Sequence, residues 1–119
     1  MVRVYCYSGC STCRKALKWL RENGIEYEEE DIRQNPPALE ELRKLHARSN
    51  LPLRRFFNTS GASYRELGLA QRLPEMSSEE QYALLAGDGM LIRRPLLSDG
   101  ETVLVGFSET EWAERLKQA

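Results

Sequence analysis

Residues 2–32 read VRVYCYSGCSTCRKALKWLRENGIEYEEEDI, and three patterns follow one another within them. Residues 2–7 are β-branched and aromatic, the composition of a strand. From about Ser11 to Asn23 the apolar residues Cys13, Ala16, Leu17 and Leu20 recur at i, i+3, i+4 and i+7, one face of a helix. Gly24 is a helix stop. Residues 25–32 then alternate apolar and acidic side chains, with Ile25, Tyr27 and Ile32 as apolar members of a half-buried strand. Strand, helix and strand within about thirty residues make a βαβ unit.

The rest of the chain resolves around that unit. After Asn35-Pro36-Pro37 a helix is expected over about 38–48, with Leu39, Leu42 and Leu45 on one face and Pro37 in its first turn. A helical turn is expected around Arg54–Phe57, then a loop through Ser60-Gly61, which lacks the glycine pattern of a phosphate cradle. Short helices follow near 63–68 and 77–86, the second opened by Ser77 or Ser78 with Glu80 as a capping box. The tail returns to β character over 91–97 and 102–105, joined by a turn at Asp99-Gly100, a strong hairpin signal. A last helix turns Trp112, Ala113 and Leu116 inward. The class is therefore α/β, a thioredoxin-like order of β-α-β and β-β-α, with a helical insertion over roughly 36–90. A chain of 119 residues fits one such domain, 1–119.

Bulk properties narrow the function. The formal net charge is −1, so no global field favours nucleic acid or an anionic membrane, and direct nucleic-acid binding is not expected. No apolar run approaches the roughly 20 residues of a membrane span. MVRVYCYSG lacks the layout of a signal peptide, which predicts a cytoplasmic protein; a monomer is expected. In that compartment close cysteines indicate metal or redox chemistry rather than a structural bridge.

All three cysteines, Cys6, Cys10 and Cys13, lie in CYSGCSTC. The spacing C-x3-C-x2-C also occurs in iron–sulfur loops of large barrels, but this chain is too short for such a barrel. A closed zinc site needs four ligands. The single histidine, His46, falls on a distant polar helix and is expected to be solvated. No metal site is predicted. A dithiol fits better. Cys10 stands just before the helix, where unsatisfied N–H groups and the helix dipole favour the negative charge of a nucleophilic thiolate. Cys13 lies one turn further on the same face and within reach as the resolving thiol. Arg14, with Lys15, can bend back towards the thiolate. Cys6 alternates with Val2 and Val4 and reads as a small buried hydrophobe outside the site. In IRRPL, residues 92–96, Pro95 is expected as the cis-proline that shapes a substrate groove beside the dithiol, with Arg94 directed at the thiolate or a bound anion. The alternative for Arg93 and Arg94 together is a solvated basic pair at a strand start; Arg54 and Arg55 read as surface charge, and Glu28 to Asp31 as a solvated strand face.

Three blocks, YSGCSTCRKALKWL, FNTSGASYRELGL and LIRRPLLSDGETVLVGFSETEW, resemble the ArsC/Spx family in the family's own order and over nearly the whole chain. The resemblance implies an arsenate reductase-like, glutaredoxin-type thiol oxidoreductase. Its nucleophile matches Cys10, and its reductant is external: glutathione, glutaredoxin or thioredoxin. Of the three arginines with which the arsenate reductases hold their oxyanion, one matches Arg94. The others fall on Asn58 and Gly106, so arsenate reduction is not expected. The Spx branch implies a different role, a redox-sensing transcriptional regulator that binds the C-terminal domain of the RNA polymerase α subunit. Its switch matches Cys10 and Cys13, but its polymerase-contact glycine falls on Pro52.

Overall fold

Strand β1 (Val2–Cys6) runs through the middle of a four-stranded sheet in a computed structural model that describes residues 2–116. Helix α1 (Ser11–Glu22) returns the chain so that β2 (Tyr27–Asp31) lies parallel to β1, with Val2 opposite Tyr27 and Cys6 opposite Asp31. On the other edge β3 (Leu96–Ser98) pairs antiparallel with β1, and β4 (Val103–Val105) closes the sheet in the order β2-β1-β3-β4. The βαβ and ββα order is as the sequence predicts, and the two halves meet where β3 pairs with β1.

β1 is covered on both faces, so its alternation feeds two cores. Val2, Val4 and Cys6 join Cys13, Ala16, Trp19, Leu20, Leu97, Leu104 and Trp112 under α1 and α6 (Glu109–Leu116). Here the Trp112 ring meets Phe107 and Trp19 edge-on, with centroids 4.9 and 6.1 Å apart. Tyr5 points the other way, into a larger core with Ile32, Leu42, Leu45, Phe56, Phe57, Leu85 and Ile92. The insertion supplies most of that second core. It comprises α2 (Leu39–Ser49), a 3-10 turn at Leu53–Phe56, α3 (Ala62–Glu66), α4 (Leu69–Arg72) and α5 (Ser78–Gly87), with further 3-10 turns at Leu73–Glu75 and Gly89–Leu91.

The capping box opening α5 belongs to Ser77: its hydroxyl accepts the Glu80 N–H at 3.1 Å and the Glu80 carboxylate accepts the Ser77 N–H at 2.9 Å. Where bounds differ from the sequence reading, backbone hydrogen bonds explain the change. Helix α2 begins at Leu39, which leaves Pro37 outside it. Ile25 does not start β2, because its N–H is held by the Leu20 carbonyl in the exit turn of α1. The expected strand over 91–97 shrinks to Leu96–Ser98. Upstream, Leu91 ends a 3-10 turn, Ile92 bridges to Phe57, and the Arg93 N–H donates to the Phe56 carbonyl, so this backbone pairs with the insertion instead of the sheet. The Arg94–Pro95 bond is cis, as expected.

His46 corrects the sequence reading. Far from being solvated, it is half-buried between α2 and α5, with Nδ1 paired to the Tyr82 hydroxyl at 2.6 Å and Nε2 to the Leu51 carbonyl at 2.9 Å. Among the described residues no group of three or more His, Cys, Asp or Glu side chains is arranged to hold a metal, and no helix is long and apolar enough to cross a membrane.

Gly89 marks a close approach between the insertion and the sheet unit, because a Cβ there would collide with the carbonyl oxygen of Ile32. Gly89→Ala is therefore expected to cost about 2 kcal/mol or more in urea unfolding. Gly87→Ala, at a helical position with open space around it, is expected to be neutral or to stabilise by up to about 1 kcal/mol.

Candidate active site

The end of β1 and the start of α1 are joined by a short turn, and that brevity fixes the first thiol. The Cys10 N–H donates to the Tyr7 carbonyl at 3.0 Å, which closes the turn and leaves Cys10 as the N-cap of α1 in extended geometry. Its Sγ takes the place of a capping oxygen and accepts the Cys13 N–H at 3.4 Å. Cys10 is half-exposed, whereas Cys13, one turn on, is 1% exposed. A disulfide approaching from solvent therefore meets Cys10 first.

A cavity of about 470 Å³ opens over Cys10. Three segments distant in sequence line it: Cys10 and Thr12 from the start of α1, Phe57 to Ser60 from the insertion, and Arg93, Arg94, Gly106 and Phe107 around the hairpin. The hairpin side is fixed from beneath, since the Gly106 N–H donates to the Pro95 carbonyl at 2.8 Å and the Trp112 indole N–H donates to the Gly106 carbonyl at 3.2 Å. Gly106 adopts φ +79°, and a Cβ there would stand 3.2 Å from Arg93 Nε, so the Arg93 side chain lies over this glycine.

The predicted site residues fall in different places. Cys10, Cys13 and Arg94 come together. Pro95 is buried just before β3 and acts on the cavity through its carbonyl; its side chain is not among the lining groups. Arg14 does not bend back to the thiolate. Its guanidinium donates to the Ser8 carbonyl at 2.9 Å and braces the turn from outside. Arg94 lines the cavity with one of its three guanidinium nitrogens engaged: Nη1 donates to the Met90 and Ile92 carbonyls at 3.3 and 3.4 Å, and the guanidinium lies 5.5 Å from the centre of the Tyr7 ring. Its Nε is buried without a hydrogen-bond partner. Arg93 is exposed and also lines the cavity. Asn58 and Gly106, on which the resemblance sets two oxyanion positions, both line the cavity, whereas Thr59, Ser60 and Phe107 are lining groups that the sequence does not single out. Their signal lies in the FNTSG and VGF stretches, but nothing local indicates that these face the cysteines.

Cys6 is buried with Val2 and Val4, as expected, and does not line the cavity; what the sequence does not indicate is that it shares its buried cluster with Cys13, both being 1% exposed. The Cys13 thiol is held below its ordinary range, first by its interaction with the neighbouring Cys6 thiol; the Tyr7 backbone N–H, the contact with Cys10 and the charge of Arg94 act in the same direction, against burial. The Cys6 thiol is pushed up, first by that interaction and then by burial.

A βαβ unit and a ββα unit joined by the β1–β3 pairing, with two cysteines at a helix start, define a thioredoxin-like fold. The ArsC family model matches residues 5–115, and the chain belongs to the ArsC family. It is 56% identical over 110 residues to the uncharacterised protein YusI of Bacillus subtilis, covering 92% of this chain and 93% of that one. It is 30% identical over 111 residues to the global transcriptional regulator Spx 2 of Bacillus anthracis, covering 93% of this chain and 83% of the regulator. The crystal structure of an ArsC-family-related protein from Bacteroides fragilis superposes with a TM-score of 0.92 at 49% identity, over 95% of each chain.

Exposure orders the thiols by access. Limited alkylation of the native protein, mapped by mass spectrometry, should modify Cys10 on the order of tenfold faster than Cys13 or Cys6, and unfolding in denaturant should erase the difference.

Proposed function

We propose that this protein is a thiol–disulfide oxidoreductase in which Cys10 attacks and Cys13 resolves. One observation carries the reading: a half-exposed Cys10 opens onto a polar cavity while a second thiol lies one helical turn beneath it, its backbone N–H already bonded to the Cys10 sulfur. The Cys10 thiolate attacks one sulfur of a substrate disulfide; a new S–S bond forms, and the other substrate sulfur leaves with the electron pair and takes up a proton. The Cys13 thiolate then attacks Cys10 Sγ, releasing the second substrate thiol and leaving a Cys10–Cys13 disulfide. Two electrons from an external thiol (glutathione, glutaredoxin or thioredoxin) restore the dithiol. Arg93 and Asn58 hold an anionic part of the substrate at the cavity wall, Arg94 supplies a fixed positive charge beside the sulfurs, and Pro95 secures the Gly106 wall. The three free thiols suit a reducing compartment, which we read as the cytoplasm, and the protein as a monomer.

Arsenate is a poor candidate substrate. The arginine triad of the arsenate reductases is reduced here to Arg94, one of whose terminal nitrogens already serves two backbone carbonyls, with Asn58 and Gly106 at the other two positions. Lost hydrogen bonds to a charged ligand cost about 1.5–3 kcal/mol each.

A second reading has the dithiol sense redox state without turnover, in a regulator that binds the RNA polymerase α subunit. The similarity to Spx 2 supports it. Exposed Pro52, just ahead of the 3-10 turn at Leu53, stands where that branch has its contact glycine.

Incubation with a small aromatic disulfide should yield a Cys10–Cys13 disulfide in the wild-type protein, a trapped mixed disulfide on Cys10 in Cys13→Ser, and no adduct or turnover in Cys10→Ser. Absence of the Cys10–Cys13 disulfide would refute the oxidoreductase reading. Tight binding to the C-terminal domain of polymerase α in only one redox state, with no turnover, would favour the regulator.

A further inference from the structure

The oxidoreductase reading leaves open which disulfides the cavity accepts, and two glycines in its surroundings narrow the answer. At Gly106 a Cβ would stand 3.2 Å from Arg93 Nε and 4.0 Å from its Cδ and Cζ, so the Arg93 side chain lies across the space that a side chain at 106 would take. At Gly61 a Cβ would fall 2.8 Å from Asn58 Nδ2, so the Asn58 amide fills the room over that glycine. Both polar residues belong to one short antiparallel pairing around the Phe57–Ile92 bridge. The Asn58 N–H donates to the Leu91 carbonyl at 2.7 Å, and the Arg93 N–H to the Phe56 carbonyl at 2.8 Å. The backbone pairing fixes where the two side chains start, and the glycines leave the room in which they lie.

The charge at this wall is unbalanced. Ion pairs among the described residues join Lys18 to Glu22 and Arg43 to Glu40 and Glu79, so the Arg93 guanidinium has no carboxylate partner there. No acidic side chain lines the cavity, whereas Arg93 and Arg94 both do. Arg94 spends Nη1 on backbone carbonyls. Arg93 is tied down through its N–H alone, which leaves its planar fork of donors for a ligand. That fork matches a carboxylate in a two-pronged hydrogen bond. One free fork suits a singly charged carboxylate better than a multiply charged oxyanion, which needs several converging cations. The volume, about 470 Å³, is that of a small-molecule site, which spans roughly 300–1,000 Å³.

We propose that Arg93, seated over Gly106, is the specificity-determining residue of this cavity and selects low-molecular-weight disulfides that carry a carboxylate. This rests on the reading of Cys10 as nucleophile and deepens it by naming the substrate class. The carboxylate pairs with Arg93 while a substrate sulfur meets Cys10. The Cys10 thiolate attacks that sulfur, a Cys10–substrate S–S bond forms, the original S–S bond breaks, and the departing sulfur leaves with the electron pair. Arg93 exchanges no proton in this step and acts only on which disulfide is held.

Two measurements test this. In Cys13→Ser protein, which stops after the first exchange, the rate of Cys10 with dithiobis-nitrobenzoate is compared with that of the uncharged bis-amide of the same disulfide, by absorbance of the released thiolate. Arg93→Gln should cut the acid-to-amide rate ratio about tenfold, as loss of a hydrogen bond to a charged group predicts. Gly106→Ala, which sets a Cβ against Arg93 Nε, should lower the ratio too; Arg93 is exposed, so Arg93→Gln decides the matter free of the strain that alanine meets at φ +79°. Arg54→Gln, at an exposed arginine outside the cavity, should leave the ratio unchanged. The second measurement needs no thiol chemistry: Cys10→Ser protein is titrated with the S-methyl thioether of the nitrobenzoate and followed by NMR, and adding Arg93→Gln should weaken binding about tenfold. Equal slowing of acid and amide, no change in either rate, or a thioether that binds with and without Arg93 alike would overturn the proposal. Loss of Cys10 reactivity towards both disulfides would remove the oxidoreductase reading, while the thioether titration would still decide the role of Arg93.

Discussion

Everything in this molecule depends on β1 being buried on both faces. A central strand must satisfy its backbone through both neighbours and bury the two sets of side chains that its alternation produces. Val2, Val4 and Cys6 can be covered only by α1 and α6, and Tyr5 only by the insertion. The strand therefore holds two cores in register, and its C-terminal end is the point where both are anchored. Cys10 stands just beyond that point, tied back by the hydrogen bond from its N–H to Tyr7. The position of the nucleophile follows from the sheet.

What can be read in the sequence is whatever a local period or a local cap records. The βαβ unit, the Asp99-Gly100 hairpin, the Ser77 capping box and the helix start at Cys10 are all short-range patterns, and each occurs in the structure. Pairings across the fold are not legible. Nothing near Arg93 signals that its N–H goes to Phe56, which is why the third strand is shorter than its apolar run. His46 sits in a polar stretch, and its partner Tyr82 lies 36 positions away.

Cys6 is the instructive case. The sequence places it on the face of β1 with Val2 and Val4, and it places Cys13 on the apolar face of α1 with Ala16 and Leu20. Both faces are as the sequence suggests. Only the packing of one against the other, which no local pattern contains, puts the two sulfurs together. The arginines show the same limit at the cavity. Arg93 and Arg94 are adjacent in sequence, yet Arg94 serves backbone carbonyls and the Tyr7 ring while Arg93 lies over Gly106.

The cavity over Cys10 is walled by segments that belong to different packing units. The thiols are rooted in the core beneath α1, whereas Phe57 to Ser60 are carried by the insertion, whose own core lies across the sheet. Reactivity and recognition thus reside on separately supported parts of one chain. Such a division lets selection rework the recognition wall through surface changes in the insertion while the sulfur chemistry stays intact. A lineage built this way can keep one reaction and change its clientele, or keep the redox switch and give up turnover altogether.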